Sequence, residues 1–315
     1  MASTKELRRR IKTTQSTRQI TKTMEMVATS KLKRAQDRVV AARPYAKALA
    51  DVIADLYTPD LAERFPLLRR PVGAPKKVAL LVLTSNRGLC GGFNSNLIRE
   101  GRRRLGELEA AGAQVELHLV GRKGIGFFRY VGRAMATQRQ DVGDKPTAAQ
   151  AADLVTPLMD RFAGGELDAV EVVFAKFNSA ISTPPTLMTV LPVEPPPARR
   201  SDGQTVGPGA KATVRPSDRP TDEPQSRYEP WYILRPSAEE IVGEILPLYV
   251  RNAIYRAMVE TAASEQGARR TAMKNATDNA GDMIDTLKRT YNRARQAQIT
   301  QELAEIVGGA EALKG

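Results

Sequence analysis

The sequence predicts an α+β protein in which two long terminal helices form an antiparallel coiled coil, attached to a central Rossmann-like α/β domain. Three observations support this fold class: apolar seven-residue repeats at both ends, apolar strands alternating with helical segments between them, and an aromatic content of only 5%. They divide the chain into an N-terminal helix at 1–58, a central domain at 59–236 and a C-terminal helix at 237–315.

The C-terminal helix is predicted to begin at Ser237, because Glu240 three residues later completes a capping box. It should run to about Val307 and end at Gly308-Gly309. A segment of this length would span roughly 100 Å and needs a second helix beside it. Its two sets of seam positions are Ile241, Leu248, Tyr255, Ala262, Arg269, Ala276, Met283, Thr290, Ala297, Ala304 and Ile245, Asn252, Val259, Gln266, Met273, Ala280, Leu287, Ala294, Gln301.

The N-terminal segment 4–57 supplies that second helix, with Pro44 expected to kink it. The pairing must be antiparallel, because both helices join the central domain at the same end. The alternative for such repeats is an αα-hairpin inside a bundle. The seam positions are Leu7, Thr14, Thr21, Ala28, Ala35, Ala42, Leu49, Leu56 and Ile11, Arg18, Glu25, Leu32, Val39, Ala46, Ile53.

The middle of the chain predicts strands alternating with helices, hence a sheet that is at least partly parallel. Residues 194–230 contain eight of the 20 prolines and almost no large aliphatic side chains, so they are predicted to be a flexible insertion. The predicted strands are Lys77–Thr84, Gln114–Val120, Asp168–Phe177, Thr186–Val193 and Trp231–Arg235; the predicted helices are a segment capped by Asn94 or Ser95 and reaching Ala111, then Arg122–Tyr130 and Pro146–Phe162.

The net charge of +13 lies mainly on the N-terminal helix, where 13 Lys and Arg face 5 Asp and Glu within 1–58. This basic cluster is either a solvated face or a surface for an acidic partner. Nucleic acid is not the predicted partner, because no binding motif and no interleaved aromatics accompany the charge. The longest strongly apolar run, Val78–Leu83, is far too short to insert into a membrane.

The turn Thr84–Asn96, with the sequence TSNRGLCGGFNSN, is the strongest candidate for a ligand loop, because it joins a strand to a helix. It matches neither the P-loop nor the dinucleotide-binding pattern, so a tight glycine turn is favoured. The single cysteine, Cys90, is predicted to be a packed residue, and the single histidine, His118, an ordinary strand residue. No cofactor, metal or catalytic set is predicted.

Long motifs at both ends of the chain carry a family resemblance. They are Ile11–Gln15, Lys22–Ala28, Ser30-Lys31, Arg43–Tyr45, Arg87–Gly92, Ala263–Gln266, Ala272–Ala280, Tyr291–Gln296 and Ile299–Ile306. Together they resemble the gamma subunit of F-type ATP synthase over the whole chain except the insertion. The resemblance implies a non-catalytic rotor shaft that carries torque from a proton-driven membrane ring to the alpha and beta subunits.

The resemblance also implies partners and contact positions. The partners are the alpha and beta subunits, the epsilon subunit and the membrane c-ring, at the cytoplasmic face of a bacterial plasma membrane. Matched position by position, Met24, Glu265 and Arg269 lie near the acidic lever segment of beta. The positions near the catch region and upper bearing are Arg295, Gln296, Thr300 and Glu302. Two other hypotheses are a coiled-coil adaptor for a polyanionic partner and a nucleotide-binding enzyme using Gly88–Gly92.

Overall fold

The computed structural model describes residues 3–56, 64–69, 73–193 and 238–312. The predicted insertion at 194–230, the predicted strand Trp231–Arg235 and the capping residue Ser237 lie outside the described residues. The described helices are α1 Thr4–Leu56, α2 Phe93–Ala110, α3 Arg122–Tyr130, α4 Ala148–Ala163 and α5 Ala238–Ala312; the strands are β1 Lys77–Leu83, β2 Gln114–Val120, β3 Thr137–Arg139, β4 Ala169–Ala175 and β5 Pro185–Leu191.

The two terminal helices dominate the molecule. Helix α1 has 53 residues and is continuous across Pro44. Helix α5 has 75 residues, which corresponds to roughly 110 Å. The predicted stop at Gly308-Gly309 is wrong, because α5 continues to Ala312 and neither glycine adopts the positive φ of a helix C-cap. A glycine in a helix interior costs only about 1 kcal/mol, which does not end a helix by itself.

Helices α1 and α5 pair antiparallel along the full length of α1. The Thr4 hydroxyl donates to Gln298 Oε1 at 3.1 Å, and farther down the Thr277 hydroxyl donates to Thr21 Oγ1 at 2.9 Å. Toward the other end, Ile53 joins the same apolar cluster as Leu246. The predicted antiparallel coiled coil of the two chain ends is therefore confirmed.

The predicted seam is right for α1 and half right for α5. In α1, the buried residues fall on the predicted positions Leu7, Ala28, Leu32, Ala35, Val39, Ala46, Leu49 and Ile53. In α5, the predicted seam positions Ala262, Arg269, Met273 and Ala280 are buried, but the burial departs from the predicted positions near Met283. Met283 is 57% exposed and Ile284 only 4%. An α-helix has 3.6 residues per turn, so a strict seven-residue pattern drifts off the contact line.

The central sheet has the strand order β3-β2-β1-β4-β5. Strands β1 to β4 run parallel, and β5 pairs antiparallel with β4. The predicted partly parallel sheet is confirmed. Strand β3, with only three residues, is an element that the sequence did not predict.

The sheet is covered on both faces, and α5 is part of one cover. Leu80 and Val82 of β1 point to the layer formed by α2 and α3. The alternate residues Ala79 and Leu81 point to α4 and to the lower part of α5, where Leu246 lies in the same cluster. Helix α5 is thus both one helix of the coiled coil and part of a layer that covers the central sheet.

Candidate functional site

The first functional feature is the junction where α5 crosses the carboxyl ends of the parallel strands. The Ser264 hydroxyl donates to the carbonyl of Ala175 at 3.1 Å, while the amide of Ala175 donates to Thr261 Oγ1 at 3.3 Å. The amide of Phe177 donates to Glu260 Oε2 at 3.3 Å. These buried side chains form hydrogen bonds with the backbone at the end of β4, as a neighbouring strand would, and so fix α5 to the sheet. The only sign of this role in the sequence is that polar residues occur in an apolar region.

Glu265 and Arg269, two predicted contact residues, form a buried ion pair inside the chain. They are 8% and 9% exposed, and the Arg269 guanidinium donates both to Glu265 Oε1 and, at 3.3 Å, to the carbonyl of Gly88. Burial raises the pKa of Glu265, and the charge of Arg269 opposes that rise. The pair therefore ties α5 to the glycine turn.

The glycine turn lies close against α5. A Cβ on Gly91, whose φ is +58°, would lie 3.7 Å from the Cβ of Ala272. Leu89 in the same turn has a φ of 63° and is 62% exposed, an unusual backbone for a leucine. Cys90 is buried, and that burial raises the pKa of its thiol, so the prediction of a packed residue is confirmed.

The candidate ligand loop is hydrogen-bonded to the start of α3. The first three amides of α3 donate to Asn86 Oδ1, the carbonyl of Ser85 and Thr84 Oγ1, at 3.0 to 3.1 Å. Asn94 or Ser95 was predicted to cap α2, but that helix begins at Phe93 with Gly92 as its N-cap, so both alternatives are wrong. Asn94 Oδ1 instead accepts from the amide of Ser85. This turn is therefore held by hydrogen bonds from α3 and by its own bond between Asn94 and Ser85.

The loop before α4 binds both shaft helices. Lys31 of α1 pairs with Asp144 Oδ2 at 2.5 Å, and Arg38 donates to the carbonyl of Asp144 at 3.2 Å. Gln266 of α5 donates to Asp144 Oδ1 at 3.2 Å. Asp144 thus connects α1, α5 and the central domain, a role that sequence reasoning missed because no motif surrounds it.

The end of α5 projects past the paired region. Helix α1 begins at Thr4, which contacts Gln298, so the residues from 299 onward extend roughly 20 Å farther. The four predicted contact residues of this end, Arg295, Gln296, Thr300 and Glu302, are all exposed. An apolar stripe runs along the same tip at helical spacing, with Ile299, Leu303, Ile306 and Val307 between 47% and 67% exposed. This tip presents an unpaired, partly apolar surface.

Two residues remain: Met24, a predicted contact residue, and His118, which was predicted to be an ordinary strand residue. Met24 is half-buried on α1. His118 is buried in β2 with Nδ1 2.9 Å from Thr137 Oγ1, and burial lowers its pKa.

Within the described ranges, no cluster of three or more His, Cys, Asp or Glu side chains could hold a metal ion. None of the described helices combines the length and apolar character that a membrane span requires.

Comparison with known proteins gives one consistent result. The model of a family described as "ATP synthase" matches residues 3–313. The ATP synthase gamma chain of Gemmatimonas aurantiaca is 59% identical over 315 residues and covers all of both chains. That of Leptospira biflexa is 40% identical over 313 residues, covering 99% of this chain and all of the relative.

Solved structures share the fold. A chain from the central stalk and c-ring of Tetrahymena thermophila mitochondrial ATP synthase has a TM-score of 0.54 at 24% identity, covering 82% of this chain and 99% of that one. A chain of the Euglena gracilis enzyme has a TM-score of 0.62 at 18% identity, with 98% and 94% covered.

The paired terminal helices with an α/β domain fixed to their flank are a fold that this chain shares with those chains of solved ATP synthases. The full-length matches assign the chain further: it belongs to the ATP synthase gamma-chain family. The adaptor hypothesis is not favoured, because these matches extend over the α/β domain as well as over the helical repeats.

Proposed function

We propose that the chain is the rotor shaft of an ATP synthase, which carries torque from a proton-driven membrane ring to catalytic alpha and beta subunits and holds no active site itself. The observation that supports this most directly is the pairing of both chain ends into one rod, to which the α/β domain is bonded laterally. A rod of this kind transmits rotation only if its attached domain cannot slip around it. The buried side chain–backbone bonds of α5 supply that resistance.

The proposed upper contact is the projecting tip of α5. A collar of alpha and beta subunits would surround the apolar stripe, while Arg295, Gln296, Thr300 and Glu302 would meet the catch region and the upper bearing. Exposed apolar surface of this kind is suited to a partner that covers it. Contacts that are individually weak suit a shaft that must leave each orientation in turn.

The proposed lower contact involves Met24, Glu265 and Arg269 near the acidic lever segment of beta. Glu265 and Arg269 are buried in the chain, so we propose that they act by holding the glycine turn, whose Leu89 is exposed beside the shaft. The basic side of α1 would attract the acidic segment without locking it, because exposed charges contribute mainly through long-range attraction.

The epsilon subunit and the c-ring are the remaining proposed partners, at the cytoplasmic face of a bacterial plasma membrane. The chain would be peripheral there, reaching the membrane only through the ring.

Single-molecule rotation tests this function directly. The chain is assembled with its alpha and beta subunits, which are fixed to a surface, and a bead is attached through Ser95→Cys on the exposed side of α2. Cys90 is buried and its thiol pKa is raised, so the label should react with the new cysteine. We expect stepwise, unidirectional rotation during ATP hydrolysis. A bead that stays still while the assembled complex hydrolyses ATP would refute the proposal.

A further inference from the structure

A cleft of about 590 Å³ opens where the ends of β1 and β2 meet the two shaft helices. The strand order reverses at β1, since β2 and β3 lie on one side of it and β4 on the other. Ligands of open α/β sheets bind at the carboxyl ends of strands beside such a reversal. The volume also lies within the range of small-molecule sites, about 300–1,000 Å³.

The cleft carries more positive than negative charge. Its six basic residues are Lys31, Arg34, Arg38, Arg87, Arg122 and Lys145. Each of its three carboxylates is already paired with a basic side chain: Asp141 with Arg139, Asp144 with Lys31 and Glu265 with Arg269.

Five of the basic side chains have no carboxylate partner among the described residues. These are Arg34, Arg38, Arg87, Arg122 and Lys145. They come from α1, the glycine turn, the start of α3 and the loop before α4, four separate segments that converge on one opening. Converging cations in a concave site raise the local concentration of anions.

Gln266 gives an independent indication of a ligand. It lines the cleft, is only 2% exposed and donates through Nε2 to Asp144 Oδ1. Its Oε1 is buried without a hydrogen-bond partner. The opposite amide orientation would place this oxygen against the Asp144 carboxylate, so the acceptor is fixed where it is. A buried acceptor left unpaired is costly. The oxygen is closed off from the cleft in this structure, so a ligand hydroxyl would satisfy it only after the neighbouring side chains move aside.

We propose that this cleft binds a small phosphate ester that also carries hydroxyl groups, such as a nucleotide or a sugar phosphate. The unpaired cations of the rim hold the phosphate, and a ligand hydroxyl donates to Gln266 Oε1. A small molecule fits better than an acidic protein segment, because the orphaned acceptor is buried and a carboxylate has no hydrogen to donate. The ligand would bridge α1, α5 and the domain, and so would stabilise their junction. This binding role is separate from torque transmission and does not depend on it.

Isothermal titration of the purified full-length chain with ADP tests the proposal, with inorganic phosphate as the smaller probe. We expect saturable ADP binding that weakens at higher salt, because exposed cations hold the phosphate. Arg87→Gln combined with Arg122→Gln should weaken it by about tenfold or more. Both side chains are exposed, so these variants should fold. Lys274→Gln is the matched control, an exposed cation on α5 outside the cleft, and should leave the affinity unchanged.

The outcomes separate the alternatives. Gln266→Met should weaken ADP further than inorganic phosphate, because the nucleotide brings ribose hydroxyls to the floor of the cleft. No binding at millimolar ADP, or equal binding by the arginine variants and the control, would overturn the proposal. Binding of polyglutamate through the same arginines, with none of ADP, would also overturn it in favour of an acidic protein partner.

Discussion

Replacing Arg269 by methionine isolates the contribution of the buried ion pair. The substitution keeps the length and apolar stem of the side chain but leaves the Glu265 carboxylate buried without its cation. Removing one member of a buried pair costs about 3–5 kcal/mol. At about 2 °C per kcal/mol for a chain of this size, the melting temperature should fall by about 6–10 °C.

The loss should depend on pH in a defined direction. Burial raises the pKa of Glu265 and Arg269 opposes this, so the variant raises that pKa further. When the pKa of a carboxyl group is raised in the folded state, the free energy of unfolding falls as pH rises and the group ionises. The protein regains this stability when the group is protonated. The stability difference between wild type and Arg269→Met should therefore shrink as pH falls from neutral toward the ordinary carboxyl range, about pH 4–5.

Thermal melts followed by far-UV circular dichroism at several pH values provide the measurement. Arg270→Met is the matched control, because Arg270 is the next residue and is exposed. It should change stability by less than about 0.5 kcal/mol. The double variant Glu265→Gln with Arg269→Met should recover most of the loss at neutral pH. A deficit in Arg269→Met that matches the control, or that is the same at every pH, would refute the reasoning.

Three further predictions follow from close packing, the seam and the tip. Gly121→Ala should prevent normal folding, because Gly121 has a φ of +100° and an added Cβ would lie 2.2 Å from the backbone oxygen of Thr84. The yield of soluble protein measures this effect. Ile284→Ala should lower the free energy of unfolding, measured in urea, by about 2–4 kcal/mol, and Met283→Ala should lower it by less than about 0.5 kcal/mol. Equal losses would contradict the observed seam. Arg295→Ala with Gln296→Ala should lower ATP synthesis in membranes while assembly stays intact, and unchanged synthesis would count against the tip contact.

The sequence was most informative where one physical constraint acts on a long segment. Helix α1 packs along one narrow line, so its seven-residue repeat identifies buried residues such as Ala28, Leu32 and Val39. Helix α5 also packs against the sheet, and residues such as Ala257 and Met258 are buried in the same cluster as Leu81 of β1. The repeat alone could not separate these two surfaces, and it assigned Met283 to the seam in place of its buried neighbour Ile284.

The junction was much harder to predict. Glu265 and Arg269 were recognised by resemblance, but their mutual pairing and their bond to Gly88 depend on how the turn meets the helix. A spacing of four residues in an otherwise apolar region was the only available signal. Asp144 carried no signal, because its partners Lys31 and Gln266 are more than a hundred residues away along the chain.

The order of translation matters for a molecule whose first helix pairs with its last. After Leu56 has been added, the ribosome must polymerise everything up to Ala238 before the first turn of the partner helix exists. At about 5–20 residues per second this takes roughly 10–40 s. During that interval Leu32 and Val39 of the newly synthesised helix lack their α5 partners Val259 and Ala263. A chaperone or a temporary intramolecular contact must shield them until synthesis is nearly finished.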